Sequence, residues 1–175
     1  MPESSSDPQA VNRVRRRDRA VEDDAWIRSY LKEAPFGVLA TEHGGQPFLT
    51  PLNFAYDEDS HALYFHGART GRLFTNLAAN PLVCFNACRM GALISASEGC
   101  AFDVEYDSVI VFGRARLIDD QAAIVHGLRL LVGKYAPDRP RAERSQPFLP
   151  SDVARTAVYR LDIDAWSAKR NPVGS

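Results

Sequence analysis

Between residues 63 and 81 the chain runs Leu63-Tyr64-Phe65-His66-Gly67-Ala68-Arg69-Thr70-Gly71-Arg72 and on into Leu73-Phe74-Thr75-Asn76-Leu77-Ala78-Ala79-Asn80-Pro81. The first part reads as a short aromatic strand, the middle as a bend carrying glycines and arginines, and the last as a helix. That layout suits a phosphate. Backbone N–H groups freed at a helix start, with the positive end of the helix dipole, attract an anion, and arginine forks grip its oxygens in pairs. Glycine lets the main chain approach without a Cβ in the way. The pattern is not a P-loop, which needs Gly-Lys-Ser/Thr after four intervening residues, and it is not a Gly-x-Gly-x-x-Gly dinucleotide turn. It points to a phosphate-bearing ligand other than ATP or NAD.

The surrounding segments must hold that bend in place. Residues 1–19 are rich in Ser, Pro, Asp and Arg and too poor in apolar side chains to offset their ordering entropy, which predicts a flexible arm. Its arginines, Arg13, Arg15, Arg16, Arg17 and Arg19, are diluted by Asp18, Glu22, Asp23 and Asp24. A solvated tail is expected there, and nucleic acid is not expected as a partner. Residues 20–170 form the domain, and residues 171–175 a tail. Helical spacing over 21–33 ends at Pro35. A strand over 36–42, a turn at His43-Gly44-Gly45 and a second strand over 46–56 read as a hairpin. Pro51 cannot donate to a ladder, so that second strand is expected at an edge or a bulge. A third strand at 63–66 leads into a helix over 70–79 closed by Asn80-Pro81, then a strand over 82–87. Segment 90–101 is not assigned. Residues 104–117 form a β-branched strand that Gly113 interrupts, as at a bulge. Asp119-Asp120 caps a helix whose apolar face includes Ile124, Val125, Leu128, Leu131 and Val132. A surface loop over 135–150 and a final strand over 156–165 complete the chain. Antiparallel strands with a few helices and no repeating βαβ unit give a mainly β, α+β class: a small barrel with flanking helices.

In this order the segments resemble the pyridoxamine 5′-phosphate oxidase-like flavin-binding split barrels, and within them the subgroup that includes the nitroimidazole-resistance proteins. Gln46-Pro47-Phe48-Leu49-Thr50-Pro51-Leu52-Asn53-Phe54-Ala55-Tyr56-Asp57 is similar to that family's second strand and Leu63 to His66 to its third. Tyr106-Asp107-Ser108-Val109-Ile110-Val111-Phe112-Gly113-Arg114-Ala115 is similar to the strand that returns across the barrel, and the resemblance runs from about residue 19 to residue 169. It implies a six-stranded antiparallel split β-barrel binding FMN along the second and third strands, at the interface of a homodimer. It further implies that Thr50, Pro51, Leu52 and Asn53 meet the flavin ring. Phe65, His66 and Gly67 end the third strand beside the phosphate, Arg69 and Arg72 follow in the bend, Ser108 contacts the cofactor from the facing strand, and Trp166 lies near it. Two departures stand out. Leu73 occupies a position where many relatives carry lysine, and Trp166-Ser167-Ala168-Lys169-Arg170 differs from the longer basic ending of the oxidases, which argues against pyridoxamine phosphate as substrate.

Composition narrows the remaining classes. With 175 residues and 45% apolar content the chain suits one globular domain. A net charge of −1 gives no global attraction to nucleic acid or an anionic membrane. No apolar run approaches the roughly 20 residues that span a bilayer, and no secretory leader pattern opens the chain, so cytoplasmic residence without membrane association is expected. Cys84, Cys88 and Cys100 make an odd set suited to a reducing compartment. On one extended strand Cys84 and Cys88 sit about 13 Å apart, too far to share a disulfide or a metal, and they read as small hydrophobes. No metal site is expected.

No Ser/His/Asp or Cys/His constellation emerges, and no catalytic residue is assigned. A flavin-dependent oxidoreductase acting on a small molecule, nitro-compound reduction among the reactions the resemblance implies, accounts for this, because the flavin carries the chemistry. A non-catalytic flavin or nucleotide carrier or sensor is the alternative.

Overall fold

The computed structural model describes residues 12–95, 102–144, 148 and 156–172. The strands are β1 (Ala20–Val21), β2 (Gly37–His43), β3 (Gln46–Leu52), β4 (Phe54–Asp57), β5 (Ala62–Gly67), β6 (Leu82–Ile94), β7 (Asp103–Leu117) and β8 (Ala157–Asn171). The helices are α1 (Asp24–Glu33), α2 (Arg72–Ala79), α3 (Gln121–Tyr135) and the short α4 (Arg141–Arg144), and a 3-10 turn spans Arg17–Arg19.

Every strand pairing is antiparallel. The sheet follows the order β3-β2-β6-β7-β8-β5-β4, with β1 added on β8. β3 and β4 stand at opposite ends of this path, yet only Asn53 separates them in the chain. One interrupted run therefore supplies both edges, and the sheet must curl until those edges meet at Asn53. That is the split barrel. Six strands were expected and eight are observed, because the second run divides at Asn53 and the two-residue β1 is added. β8 makes the split: its first half pairs with β5, and Ala168 and Lys169 pair with β1.

The β2–β3 hairpin turns through Gly44 and Gly45, both in the left-handed region at φ 62° and 80°, which suits a two-residue turn matched to strand twist. Gly113 sits where the β7–β8 register shifts, and a Cβ there would lie 2.0 Å from the Asp162 carbonyl oxygen. Only glycine allows this approach, as a bulge requires.

Alternation along the strands sends Leu39, Phe54, Leu63, Phe65, Phe85, Val109, Val111, Tyr159 and Leu161 into the barrel, where they are buried with Leu31 of α1 and Leu77 of α2. A second cluster forms on the outer face of β5 and β8, where Ala62, Tyr64 and Val158 pack under Ile124 of α3. β5 is thus apolar on both faces. That explains its continuous run from Ala62 to Phe65.

Several boundaries differ from the sequence reading. The first helix starts at Asp24 rather than residue 21, because Asp23 caps it by accepting from the Ala25 N–H and Val21 is extended against β8. β6 continues to Ile94 and β8 to Asn171, since β6, β7 and β8 keep pairing beyond the barrel wall. Part of the unassigned 90–101 segment is therefore strand, and 96–101 lies outside the described residues. Of the arm, residues 1–11 also lie outside them; its inner end is held by Arg19, whose guanidinium pairs with Asp103 at 2.5 Å and lies over the Tyr106 ring. Cys84 and Cys88 share β6, half-buried and exposed respectively. Cys100 and residues 173–175 are outside the described set. No helix among the described residues is long and apolar enough to cross a membrane.

Candidate functional site

β5 ends at Gly67 and the chain bends through residues 68–71 before α2 begins. The bend is fixed from below by the Tyr159 hydroxyl, which donates to the Ala68 carbonyl at 2.7 Å, while the Tyr159 ring stacks on Phe65 at 5.3 Å. Burial pushes the Tyr159 phenol up and the nearby Arg69 charge opposes that rise. Gly71 is the N-cap of α2 at φ 92° and ψ −178°, a conformation that L side chains rarely adopt. It has no side chain to cap the helix. The first amides of α2 are left for another acceptor, at the positive end of its dipole. Gly67 differs: a Cβ there would make only an ordinary 3.4 Å contact with Tyr159.

α2 is tied to the β2–β3 hairpin, so this helix start has a definite place. Asn76 is buried and donates to Thr41 Oγ1 at 2.9 Å, Asn80 donates to Glu42 Oε2 at 2.9 Å, and Leu73 and Leu77 join the barrel core. Glu42 also accepts from the Gly45 N–H at 2.5 Å; that bond and the one from Asn80 hold its carboxyl below the ordinary range. Arg72 lies over the Phe48 ring, 5.2 Å from its centroid, and lines a cavity of about 370 Å³ with His43, Gln46, Thr75 and Asn76. Arg69 is exposed on the bend. Among the described residues no carboxylate lies within ion-pair distance of either guanidinium. Two unneutralised cations and a set of open amides thus share one helix start, an arrangement able to hold a phosphate.

The strand residues divide between two faces. Thr50 pairs with Leu39, whose neighbour across β6 is Phe85, so it points into the barrel; its buried Oγ1 has no hydrogen-bond partner in the structure. Leu52 packs against the core. Pro51 is exposed on the outer face of β3, which pairs with β2 alone and is an edge, as its proline predicts. Asn53 interrupts the β3–β4 run and faces a second cavity, of about 530 Å³, that His66 also lines; Phe65 is buried in the core.

Ser108 and Trp166 are not brought to the bend within one chain. Ser108 lies on the outer sheet face opposite Cys88 and Lys169, accepting from Asn86 Nδ2 at 3.1 Å. Trp166 donates from its indole to Asp24 Oδ1 at 2.9 Å, lies under the Arg28 guanidinium and packs beside His61, at the end of β5 remote from Gly67. The outer face near Pro51 carries a third cavity, of about 920 Å³, lined by Ala40, Pro47, Leu82, Cys84, Phe112 and Ala165 among others. Leu49 and Leu82 are 61% and 53% exposed around it.

Sequence reasoning missed two residues. Tyr135 ends α3 and hydrogen-bonds the main chain at Phe54 and Pro35; its place four residues after the buried Leu131 was the available signal. Arg139 follows in what reads only as a Pro- and Arg-rich loop.

Comparison with known proteins gives a consistent answer. A family model described as pyridoxamine 5′-phosphate oxidase matches residues 23–170. None of the curated proteins compared with the chain matches it. Among solved structures, a flavocytochrome from Azotobacter vinelandii is 30% identical, with 98% of this chain and 77% of that one covered and a TM-score of 0.80. An FAD and heme binding protein from Mycobacterium smegmatis is 21% identical, covering 87% and 73%, with a TM-score of 0.77. A candidate 5-nitroimidazole antibiotic resistance protein from Bacteroides thetaiotaomicron is 22% identical, covering 86% and 85%, with a TM-score of 0.72. The last two likenesses show the fold alone.

Proposed function

Because the chain belongs to the pyridoxamine 5′-phosphate oxidase family, we propose that it binds a flavin, FMN, and works as an oxidoreductase on a small molecule. The observation that carries this reading is the start of α2: an N-cap glycine without a capping side chain, Arg72 in a cavity, and no described acid neutralising Arg69 or Arg72. The names of several similar structures support a flavin, and three of them name FAD. FMN is preferred here for one reason: Arg72, the first residue of the helix, lines a cavity, and a terminal monophosphate bound to it would also lie near the uncapped amides of the helix start.

The residues present fit the group. The free edge of β3 leaves main-chain N–H and C=O groups beside Pro51 and Leu52 for the polar rim of a ring, while Thr50 of the same strand points into the barrel. Leu73 is uncharged and packs against the core, so it contributes no cation to the phosphate. The phosphate then depends on two arginines and the amides. A bound flavin supplies hydride exchange. The chain's own part is to seat the phosphate, orient the ring along β3 and exclude water, which requires no protein nucleophile.

A second copy of the chain on the outer sheet face would cover the exposed Leu49 and Leu82 and bring Pro51 and Ser108 to a subunit boundary. The homodimer belongs to this proposal.

The test begins with the purified protein. A yellow preparation whose heat-released chromophore has the mass of FMN supports the reading; FAD corrects the cofactor, and a colourless protein that takes up neither sinks it. Anaerobic NAD(P)H followed by a nitroaromatic separates turnover from carriage: bleaching and recovery mark an enzyme, whereas an unresponsive retained flavin marks a binder. Sedimentation equilibrium reads the dimer.

A further inference from the structure

Apart from the cavity that Arg72 lines with the β2–β3 hairpin, a second cavity, of about 530 Å³, lies between the C-terminal half of α3 and the strand ends at Asn53, His66 and Thr156. Its wall is apolar where Leu131 and Val132 face it, and Arg139 stands at its rim. Four of its polar side chains, Asn53, His66, Arg139 and Thr156, make no side-chain hydrogen bond or ion pair with any described residue. The fifth, Tyr135, has its hydroxyl engaged by the main chain of Phe54 and Pro35. An apolar cavity of this size with a few convergent, unsatisfied polar groups is the usual form of a small-molecule site.

The charge says what kind of molecule. Arg139 is a permanent cation without a described acid partner, next to aliphatic surface. A carboxylate satisfies it through two parallel hydrogen bonds, and a flat unsaturated body fills the space along Leu131 and Val132. We propose that this cavity binds a planar aromatic carboxylate, with its acid group on Arg139 and its far end toward His66 and Asn53. Asn53 and His66 also belong to the residues assigned to the cofactor, so the cavity adjoins the flavin site. That its ligand is the substrate rests on the flavin reading; that it binds such an anion does not.

2-Naphthoate is a suitable probe, titrated by calorimetry into the protein as purified. Saturable binding is expected. The neutral 2-naphthalenemethanol should bind about tenfold or more weakly, and Arg139→Gln should weaken naphthoate by a similar factor, as loss of a charge-assisted pair implies. Val132→Trp fills the cavity and should abolish binding. Flavin content per chain stays unchanged in both variants. If Val132→Trp does not fold, Arg139→Gln, at an exposed side chain, still decides the matter. No binding, equal affinity for acid and alcohol, or indifference to Arg139→Gln would overturn the proposal. So would a haemin absorbance band that disappears in His66→Ala, since a haem would then occupy the cavity. A protein that binds naphthoate in this pattern but takes up no flavin leaves the anion site standing and removes only its role as substrate pocket.

Discussion

The Tyr135 hydroxyl sits 3.0 Å from both the main-chain nitrogen and the main-chain oxygen of Phe54, 81 residues earlier in the chain, and 2.8 Å from the Pro35 oxygen. It accepts from the Phe54 N–H and shares its single proton between the two carbonyls. This one side chain therefore staples α3 to the point where the β3–β4 run breaks and the barrel closes. Tyr135→Phe leaves the Phe54 N–H without that acceptor and should cost about 1–3 kcal/mol, the range for an unsatisfied buried group. A urea midpoint within error of the parent would show that water replaces the hydroxyl without loss.

Arg72→Ala removes the guanidinium that lines the cavity at the start of α2, whereas Arg17 is exposed in the 3-10 turn before β1. Flavin retention should fall by about tenfold or more in Arg72→Ala, the loss of one charge-assisted contact of roughly 1.5–3 kcal/mol, and stay at the parent level in Arg17→Ala. Absorbance of the released chromophore per chain measures both. Equal retention would remove the phosphate from this bend.

Asp57 is 7% exposed and accepts from Ser60 Oγ at 2.6 Å and pairs with His126 Nε2 at 2.9 Å. Burial acts to raise its pKa, but those two partners together outweigh it and hold the carboxyl below its usual value. A depressed folded pKa means that the unfolded chain binds the proton first. The stabilisation is complete above the ordinary aspartate range of about 4 and is lost as pH falls through the folded value. Asp57→Asn should lower the melting midpoint at pH 7 and flatten its decline between about pH 5 and pH 2. Parallel acid curves for the two proteins would refute the assignment.

Lys134 gives a slope of the same sign in a higher window, although here the fold disfavours the charged form instead of favouring it. Its ammonium lies 3.8 Å from the centre of the Phe54 ring and donates to the Leu31 carbonyl at 3.2 Å, in surroundings whose desolvation lowers its pKa to about 8. Between that value and the unfolded one near 10.4 the unfolded chain holds more protons, so this residue makes stability rise with pH across the window. The stability difference between the parent and Lys134→Met should therefore shift in favour of the parent from pH 7.5 to pH 10. A difference independent of pH, or a titration of the Lys134 Cε resonance near 10.4, would contradict it.

How much of this was legible beforehand depends on the range of the interaction. The hairpin at Gly44-Gly45, the capped helix after Asp120, the bulge at Gly113 and the bend before α2 all stand where local residue chemistry puts them. Val21 was misread as helical because its spacing fits a helix face, while its pairing with Ala168 lies 147 positions away in the chain. Trp166 carries an aromatic signal with no direction, and only the packing of α1 sends its indole to Asp24.

What the linear chain determined by itself was the kind and order of its elements, including a helix that starts after Gly71 with no capping side chain, because caps, turns and alternation act between neighbours. The tertiary structure decided that β3 and β4 become opposite edges meeting at Asn53, that Tyr135 secures this closure, and that one cavity opens between Arg72 and the β2–β3 hairpin and another between His66, Asn53 and α3. Such outcomes depend on pairings between residues tens of positions apart. Their geometry exists only after the sheet has curled, and no local period encodes it.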